Sequence, residues 1–170
     1  MERQEVAYTY ELERTLSMLR SGGILLAATK PSGASNVMTI GWGTVGIIWG
    51  RPIFVVMVRP SRHTYGFMEE TGAFTVNVPT PELRAWTSFC GTKSGRDVDK
   101  FAALGMATSP AQKVRGVTID ACPLVYECKV VHHNDVIPPH LAPEIVSGSY
   151  PQGDFHRIYF GEILGTYASK

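Results

Sequence analysis

The sequence predicts a mainly β fold, an antiparallel barrel with helices inserted between its strands, and three features of the chain predict it. Apolar, strand-like runs follow one another across short turns rich in Gly, Pro and Ser. Neighbours joined so closely are antiparallel, since a parallel pair needs a crossover of about a dozen residues or more. Helical periodicity is confined to short stretches between these groups, unlike the regular alternation that builds a parallel sheet. With 170 residues, 18% charged, 44% hydrophobic, and 17 Gly and 11 Pro, the chain can bury a core without disulfide or metal staples. One domain over residues 1–170 is expected.

Residues 10–20 place Leu12, Leu16 and Leu19 at helical spacing ahead of Gly22 and Gly23, so a short amphipathic helix opens the chain. Residues 24–29 form a continuous apolar strand, 30–35 a Pro/Gly/Ser turn, and 36 to about 48 a long second strand. Gly50-Arg51-Pro52 turns the chain into a third strand over 53–59. A helix over 62–70 is expected next, with Ser61 as its cap and Gly72 as its end. A strand at 74–78 stops at Pro79, and 81–89 reads as a helix with Thr80 as N-cap and Pro81 in its first turn. A polar loop at 91–96 leads into a helix over 97–104, where Ser94 and Asp97 have capping-box spacing. Two long strands, 123–132 and 155–167, close the fold around a proline-rich loop at 136–153.

The formal charge is +1, with no basic block or basic helix, so neither nucleic acid nor an anionic membrane is an expected partner. No apolar stretch approaches the roughly 20 residues that span a bilayer. The first segment, with Glu2, Glu5, Glu11 and Glu13, lacks the pattern of a signal peptide. Three cysteines, Cys90, Cys122 and Cys128, form no CxxC pair. Buried, reduced thiols and a cytoplasmic address are expected. His132 and His133 are adjacent on a strand and point to opposite faces, a poor start for a metal site even with His140 downstream, and none is expected.

Gly41-Trp42-Gly43-Thr44-Val45-Gly46 matches GxGxxG, yet the dinucleotide fingerprint must end a strand and open a helix, with an acid about 20 residues on. Here the glycines run into more strand, where they relieve crowding or make a bulge.

The run Asn36-Val37-Met38-Thr39-Ile40-Gly41-Trp42 brings an amide, a thioether, a hydroxyl and an indole together on one strand. Arg59-Pro60-Ser61-Arg62-His63-Thr64 follows as a cationic, hydroxyl-rich turn. Together they can hold an aromatic ring at one end and a phosphate at the other, which is what a flavin requires. Each piece has a plainer reading beside this one. Met38, Ile40 and Trp42 can simply fill the barrel, and the Arg59 turn can be a solvated helix cap. Ser94, Gly95 and Lys100 suit a second phosphate contact or an ordinary capped helix. Asn77 lies in an apolar strand and either pairs with backbone or faces the ligand. His156 opens the last strand and either meets the ligand or bonds to backbone. Cys90 has no neighbouring histidine to mark a nucleophile and reads as an inert thiol. Arg157 and Glu162 read as structural ion-pair or surface partners.

Five segments carry a resemblance. They are Asn36-Val37-Met38-Thr39 with Trp42; Arg59-Pro60-Ser61-Arg62 with Thr64; Phe74-Thr75-Val76-Asn77-Val78-Pro79; Cys90-Gly91 with Ser94-Gly95 and Asp97-Val98-Asp99-Lys100-Phe101; and Gly153-Asp154-Phe155-His156-Arg157 with Gly161-Glu162. In this order and spacing the chain resembles the flavin reductase-like, FMN-binding split-barrel proteins, and especially their flavoredoxin branch. The resemblance implies a six-stranded antiparallel split β-barrel, a homodimer, and one FMN per subunit near the dimer interface. It implies cofactor contacts from Asn36, Met38, Thr39, Trp42, Arg59, Ser61, Arg62, Thr64, Asn77, Ser94, Gly95, Lys100 and His156.

The function expected is an FMN-dependent oxidoreductase of the NAD(P)H:flavin reductase type. It would take a hydride from NADH or NADPH and pass electrons to a small-molecule or protein acceptor. The alternative is an FMN-carrying electron-transfer protein with little nicotinamide activity of its own. Since the flavin ring carries the chemistry, no catalytic acid or base is nominated.

Overall fold

The computed structural model describes residues 2–169. Its strands are β1 (Arg3–Glu5), β2 (Ile24–Thr29), β3 (Ser35–Ile40), β4 (Gly43–Ile48), β5 (Arg51–Val58), β6 (Ala73–Val78), β7 (Thr108–Pro110), β8 (Val117–Ile119), β9 (Leu124–Asp135) and β10 (Arg157–Ser169). The helices are α1 (Leu12–Ser21), α2 (His63–Thr71), α3 (Arg84–Thr92), α4 (Lys100–Leu104) and α5 (Pro143–Ser149). Seven strands run β3-β2-β6-β9-β10-β5-β4 with every pairing antiparallel, and β1 joins β10 as the eighth member. The mainly β, antiparallel class is as expected; the sheet has eight strands rather than six, and β7 and β8 form a separate hairpin.

The long strand expected over 36–48 is two strands. β3 pairs with β2 at one end of the sheet and β4 pairs with β5 at the other, joined only by Gly41 and Trp42. The two terminal strands of the sheet are thus consecutive in the chain, and this brings the ends of the sheet together as a barrel. Gly43 has the crowding role expected of it: a Cβ there would lie 2.5 Å from the Val55 carbonyl oxygen. β4 opens no helix, consistent with rejection of the dinucleotide fingerprint.

Alternation of side chains divides the core into two compartments. Ile24, Leu26, Met38, Phe54, Val56, Phe74, Val76, Leu124 and Tyr126 fill the barrel. Leu25, Ala27, Val37, Cys90, Ile119, Cys122, Val125 and Tyr167 form a second cluster on the other face. β2 is buried along its whole length on both faces, which accounts for its unbroken apolar run. Asn77 points to the second compartment. Its Oδ1 accepts from the Ile119 amide at 2.8 Å and its Nδ2 donates to Thr75 Oγ1 at 3.0 Å. It is therefore a structural amide that anchors β8, and the expectation of a ligand contact is corrected.

Other differences have local causes. α1 begins at Leu12 because Glu11 adopts φ 49. It buries Thr15 and Leu19 rather than Leu16, with Thr15 Oγ1 3.1 Å from the Tyr126 hydroxyl. Arg62 rather than Ser61 is the N-cap of α2, since the Ser61 hydroxyl donates to Asp154 Oδ2 at 2.6 Å. Residues 81–83 form a 3-10 turn before α3, and the cap of α4 is Asp99, whose Oδ1 accepts from the Ala102 amide at 3.1 Å. The 136–153 loop contains α5. The β7–β8 hairpin is held by the buried Glu127 carboxylate, which accepts from the amides of Gln112 and Lys113.

Candidate functional site

A cleft opens where β3 parts from β4, and it has two adjoining compartments that share Met38, Thr39 and Arg62. Their cavity volumes are about 130 and 190 Å³, and both open to solvent. The first is bordered by β3, the N-terminus of α2, the end of α3 and residues 93–96, and brings together Asn36, Ser61, Thr64, Ser94, Gly95 and Lys100. The second is lined by Trp42, Met57, Arg59 and His156 beside Met38 and Thr39. Twelve of the thirteen residues expected to touch a ligand therefore border one cleft; Asn77 does not.

The first compartment is cationic. Arg62, Lys93, Arg96 and Lys100 border it, with the His63 imidazole beside them, and among the described residues no carboxylate lines either compartment. Lys100 is buried, and its ammonium donates to the carbonyls of Val37 and Cys90, each at 2.9 Å. Burial lowers its pKa. Much of its hydrogen bonding thus ties β3 to α3, so it is in part a structural residue. The Arg62 side chain is exposed and makes no hydrogen bond to the described residues. Asn36 Nδ2 donates to Thr64 Oγ1, and a Cβ on Gly95 would collide with Asn36 Oδ1. The backbone at Gly95 therefore passes too close to Asn36 and His63 to carry a side chain.

Arg59, expected as a phosphate fork, borders the second compartment, but its guanidinium is engaged by the neighbouring loop. Its guanidinium donates to the carbonyls of Ser149, Gly153 and Asp154 and lies 5.1 Å from the Tyr150 ring centroid. With Ser61 bonded to Asp154, and Arg96 donating to the Ser61 carbonyl at 3.0 Å, the 59–62 turn is pinned to loops on both sides.

Trp42 is 43% exposed, so it is a cleft wall and not barrel filling; Met38 both fills the barrel and borders the cleft. His156 lies 4.9 Å from the Trp42 ring and 2.9 Å, through Nδ1, from the Tyr150 hydroxyl. Burial lowers the His156 pKa to about 4; Arg59 and Arg62 add to the shift and Asp154 opposes it. Burial likewise pushes the Cys90 thiol up to about 11, in keeping with an inert thiol. Arg157 pairs with Asp135 and Glu69, and Glu162 with Arg51, the structural roles expected of them.

Sequence reasoning missed His63, Met57 and Tyr150. His63 lies within the turn that was singled out, and its position beside two nominated residues was the available signal. Burial and the nearby Arg96, Lys30 and Lys100 lower its pKa, against Asp97.

Residues 18–170 match a family model described as "Flavin reductase like domain". An "Uncharacterized protein" of Archaeoglobus fulgidus is 31% identical over 146 residues, 86% of this chain and 70% of that protein. Among solved structures, a flavoredoxin from Methanosarcina acetivorans superposes with a TM-score of 0.68 at 25% identity, covering 87% of this chain and 69% of the other. An FMN-binding domain of a flavin reductases-like enzyme from Shewanella baltica gives a TM-score of 0.68 at 20% identity, covering 98% and 77%.

Proposed function

The chain belongs to the flavin reductase-like domain family, and from that premise we propose that it is an FMN-binding oxidoreductase of the NAD(P)H:flavin reductase type. The observation that carries the proposal is the cleft itself, a cationic, carboxylate-free compartment running into one where Met38, Trp42 and Met57 stand beside Thr39, Arg59, Arg62 and His156. An elongated ligand with an anionic end and a flat ring bearing polar edges matches that arrangement.

The residues present fit the cofactor. Ser61, Arg62, Ser94 and the close-approach backbone at Gly95 would hold the phosphate, and Asn36, Met38, Thr39, Trp42 and Met57 would line the remainder. Bound there, the flavin ring supplies the hydride and electron chemistry. The chain's own work is to neutralise phosphate charge, exclude water and fix the ring. NADH or NADPH is the electron donor in this reading, and a small molecule or protein the acceptor. The test is the visible spectrum of the purified protein, mass identification of any ligand released on denaturation, and anaerobic addition of NADH or NADPH. Flavin absorbance that bleaches supports the enzyme. The name of the Methanosarcina relative favours a second reading, an FMN-carrying electron-transfer protein, which predicts bound flavin that nicotinamides leave oxidised. Colourless protein that takes up no added FMN would refute both.

A homodimer is part of the proposal. The cross-strand pairs Met57–Ile158 and Val55–Phe160 place four apolar side chains on one face of β5 and β10, all only half-buried in the single chain. Trp49, 61% exposed, stands beside Phe160. Sedimentation at micromolar concentration tests this, a monomer being the contrary result. Three buried cysteines without a disulfide suit the proposed reducing, cytoplasmic compartment; no helix among the described residues is long and apolar enough to cross a membrane.

A further inference from the structure

The segment leading into β10 carries a buried pair, Tyr150 and the cleft residue His156. Tyr150 and His156 are 4% and 8% exposed, and they meet through the 2.9 Å contact between the phenol oxygen and Nδ1. Trp42 packs against the imidazole, Phe155 stacks on the Tyr150 ring at 4.6 Å, and Arg59 holds the segment by the carbonyls of Ser149, Gly153 and Asp154. Both rings are therefore fixed in place.

Which atom carries the hydrogen in that contact decides what His156 offers the cleft. Burial lowers the pKa of the imidazole and raises that of the phenol, so at neutral pH the ring is uncharged and the phenol keeps its proton. If Nδ1 carried the imidazole hydrogen, the phenol hydrogen of a buried tyrosine would need another acceptor, and the described residues provide none. If the phenol donates, its hydrogen is satisfied and the imidazole hydrogen moves to Nε2. Nε2 has no protein partner, yet it is not among the sealed, unsatisfied side-chain atoms of the described residues. It is therefore accessible, and the ring borders the cleft beside Trp42 and Met57.

We infer that Tyr150 is a positioning residue that holds His156 as the Nε2–H tautomer, so that the imidazole presents one uncharged N–H donor to a carbonyl oxygen of the molecule bound beside Trp42 and Met57. Two ligands of the proposed reaction carry such an oxygen, the flavin ring and the nicotinamide carboxamide. The identity of the ligand rests on the proposed function; the tautomer does not.

Nitrogen-15 NMR of the full chain without cofactor tests the tautomer at pH 7. A protonated Nε2 and a bare Nδ1 are expected for His156, shifting to a mixture or to the opposite form in Tyr150→Phe. A wild-type mixture, an Nδ1–H wild type, or a variant with an unchanged spectrum would overturn the inference. Because no cofactor is present, failure to bind FMN would sink the functional reading without deciding this one. With FMN bound, Tyr150→Phe is expected to cost roughly three- to tenfold in one of two quantities. A weaker FMN Kd assigns the donor to the flavin carbonyl. A higher KM for NADH or NADPH, with kcat changed less, assigns it to the carboxamide. If neither quantity moves, His156 donates to neither and the ligand assignment fails.

Discussion

The Asn36 side-chain amide donates to the Thr64 hydroxyl at 2.8 Å, tying the strand that borders the cleft to the first turn of the neighbouring helix. Both residues are buried, at 6% and 1% exposure. Asn36→Ala removes the bond and leaves a buried hydroxyl short of a partner, so a loss of about 1–3 kcal/mol is expected. Urea unfolding measures it, and FMN titration of the same variant should show weaker binding. An unchanged midpoint would mean that the bond contributes nothing.

Gly95→Ala separates binding from folding. The new methyl meets the Asn36 carbonyl and lies 2.9 Å from His63 Cδ2, so the 94–96 loop must move away from the cleft. Overpacking of this kind costs about 1–3 kcal/mol, and in a loop that borders the cleft that displacement falls mainly on the ligand. Isothermal titration should show FMN affinity reduced by about tenfold or more with only a small fall in Tm.

The Arg62 side chain makes no hydrogen bond to the described residues and borders both compartments. Arg62→Gln is therefore expected to leave stability within about 0.5 kcal/mol of wild type. Its loss should weaken FMN by about 1.5–3 kcal/mol, the range for hydrogen bonds to charged groups. Riboflavin, which lacks the phosphate, is the control: its affinity should hardly change. Equal losses for both ligands would remove Arg62 from the phosphate site.

His156 makes stability depend on pH in a stated direction. Its folded pKa is about 4 against an ordinary 6.5, so the unfolded chain takes up a proton before the folded one. The contribution is fully present above about pH 6.5, falls as the pH drops towards 4, and is then level. The full span is about 3 kcal/mol. Burial does most to hold the pKa down, Arg59 and Arg62 add to it, and Asp154 opposes them. Denaturant midpoints between pH 7 and pH 4 in wild type and His156→Gln should diverge, with the variant losing less.

Much of this architecture was legible. β2 could be read because burial on both faces demands an unbroken apolar run, and the turn at 59–64 because anion chemistry concentrates cations and hydroxyls. The break after Ile40 was not legible, since Gly41 and Trp42 interrupt no periodicity that a local reading can detect; only pairing to opposite ends of the sheet separates β3 from β4. β1, β7 and β8 have three residues each, too few to show a period, and the hairpin depends on a carboxylate from a distant strand. Asn77 was read as undecided because an amide in a strand declares its partner only once the register is known. Tyr150 lay in a loop whose composition advertised turns alone.

The junction at Gly41 and Trp42 also has a thermodynamic consequence. The cleft touches β3 on one side of the seam and Met57 of β5, next to the other terminal strand, on its opposite side. A molecule filling it would span the gap between the two ends of one sheet, so occupancy and closure of the seam become linked equilibria. Bound cofactor should then stabilise by mass action in proportion to its free concentration. It should also slow amide exchange first along β3 and β4, before the interior strands respond.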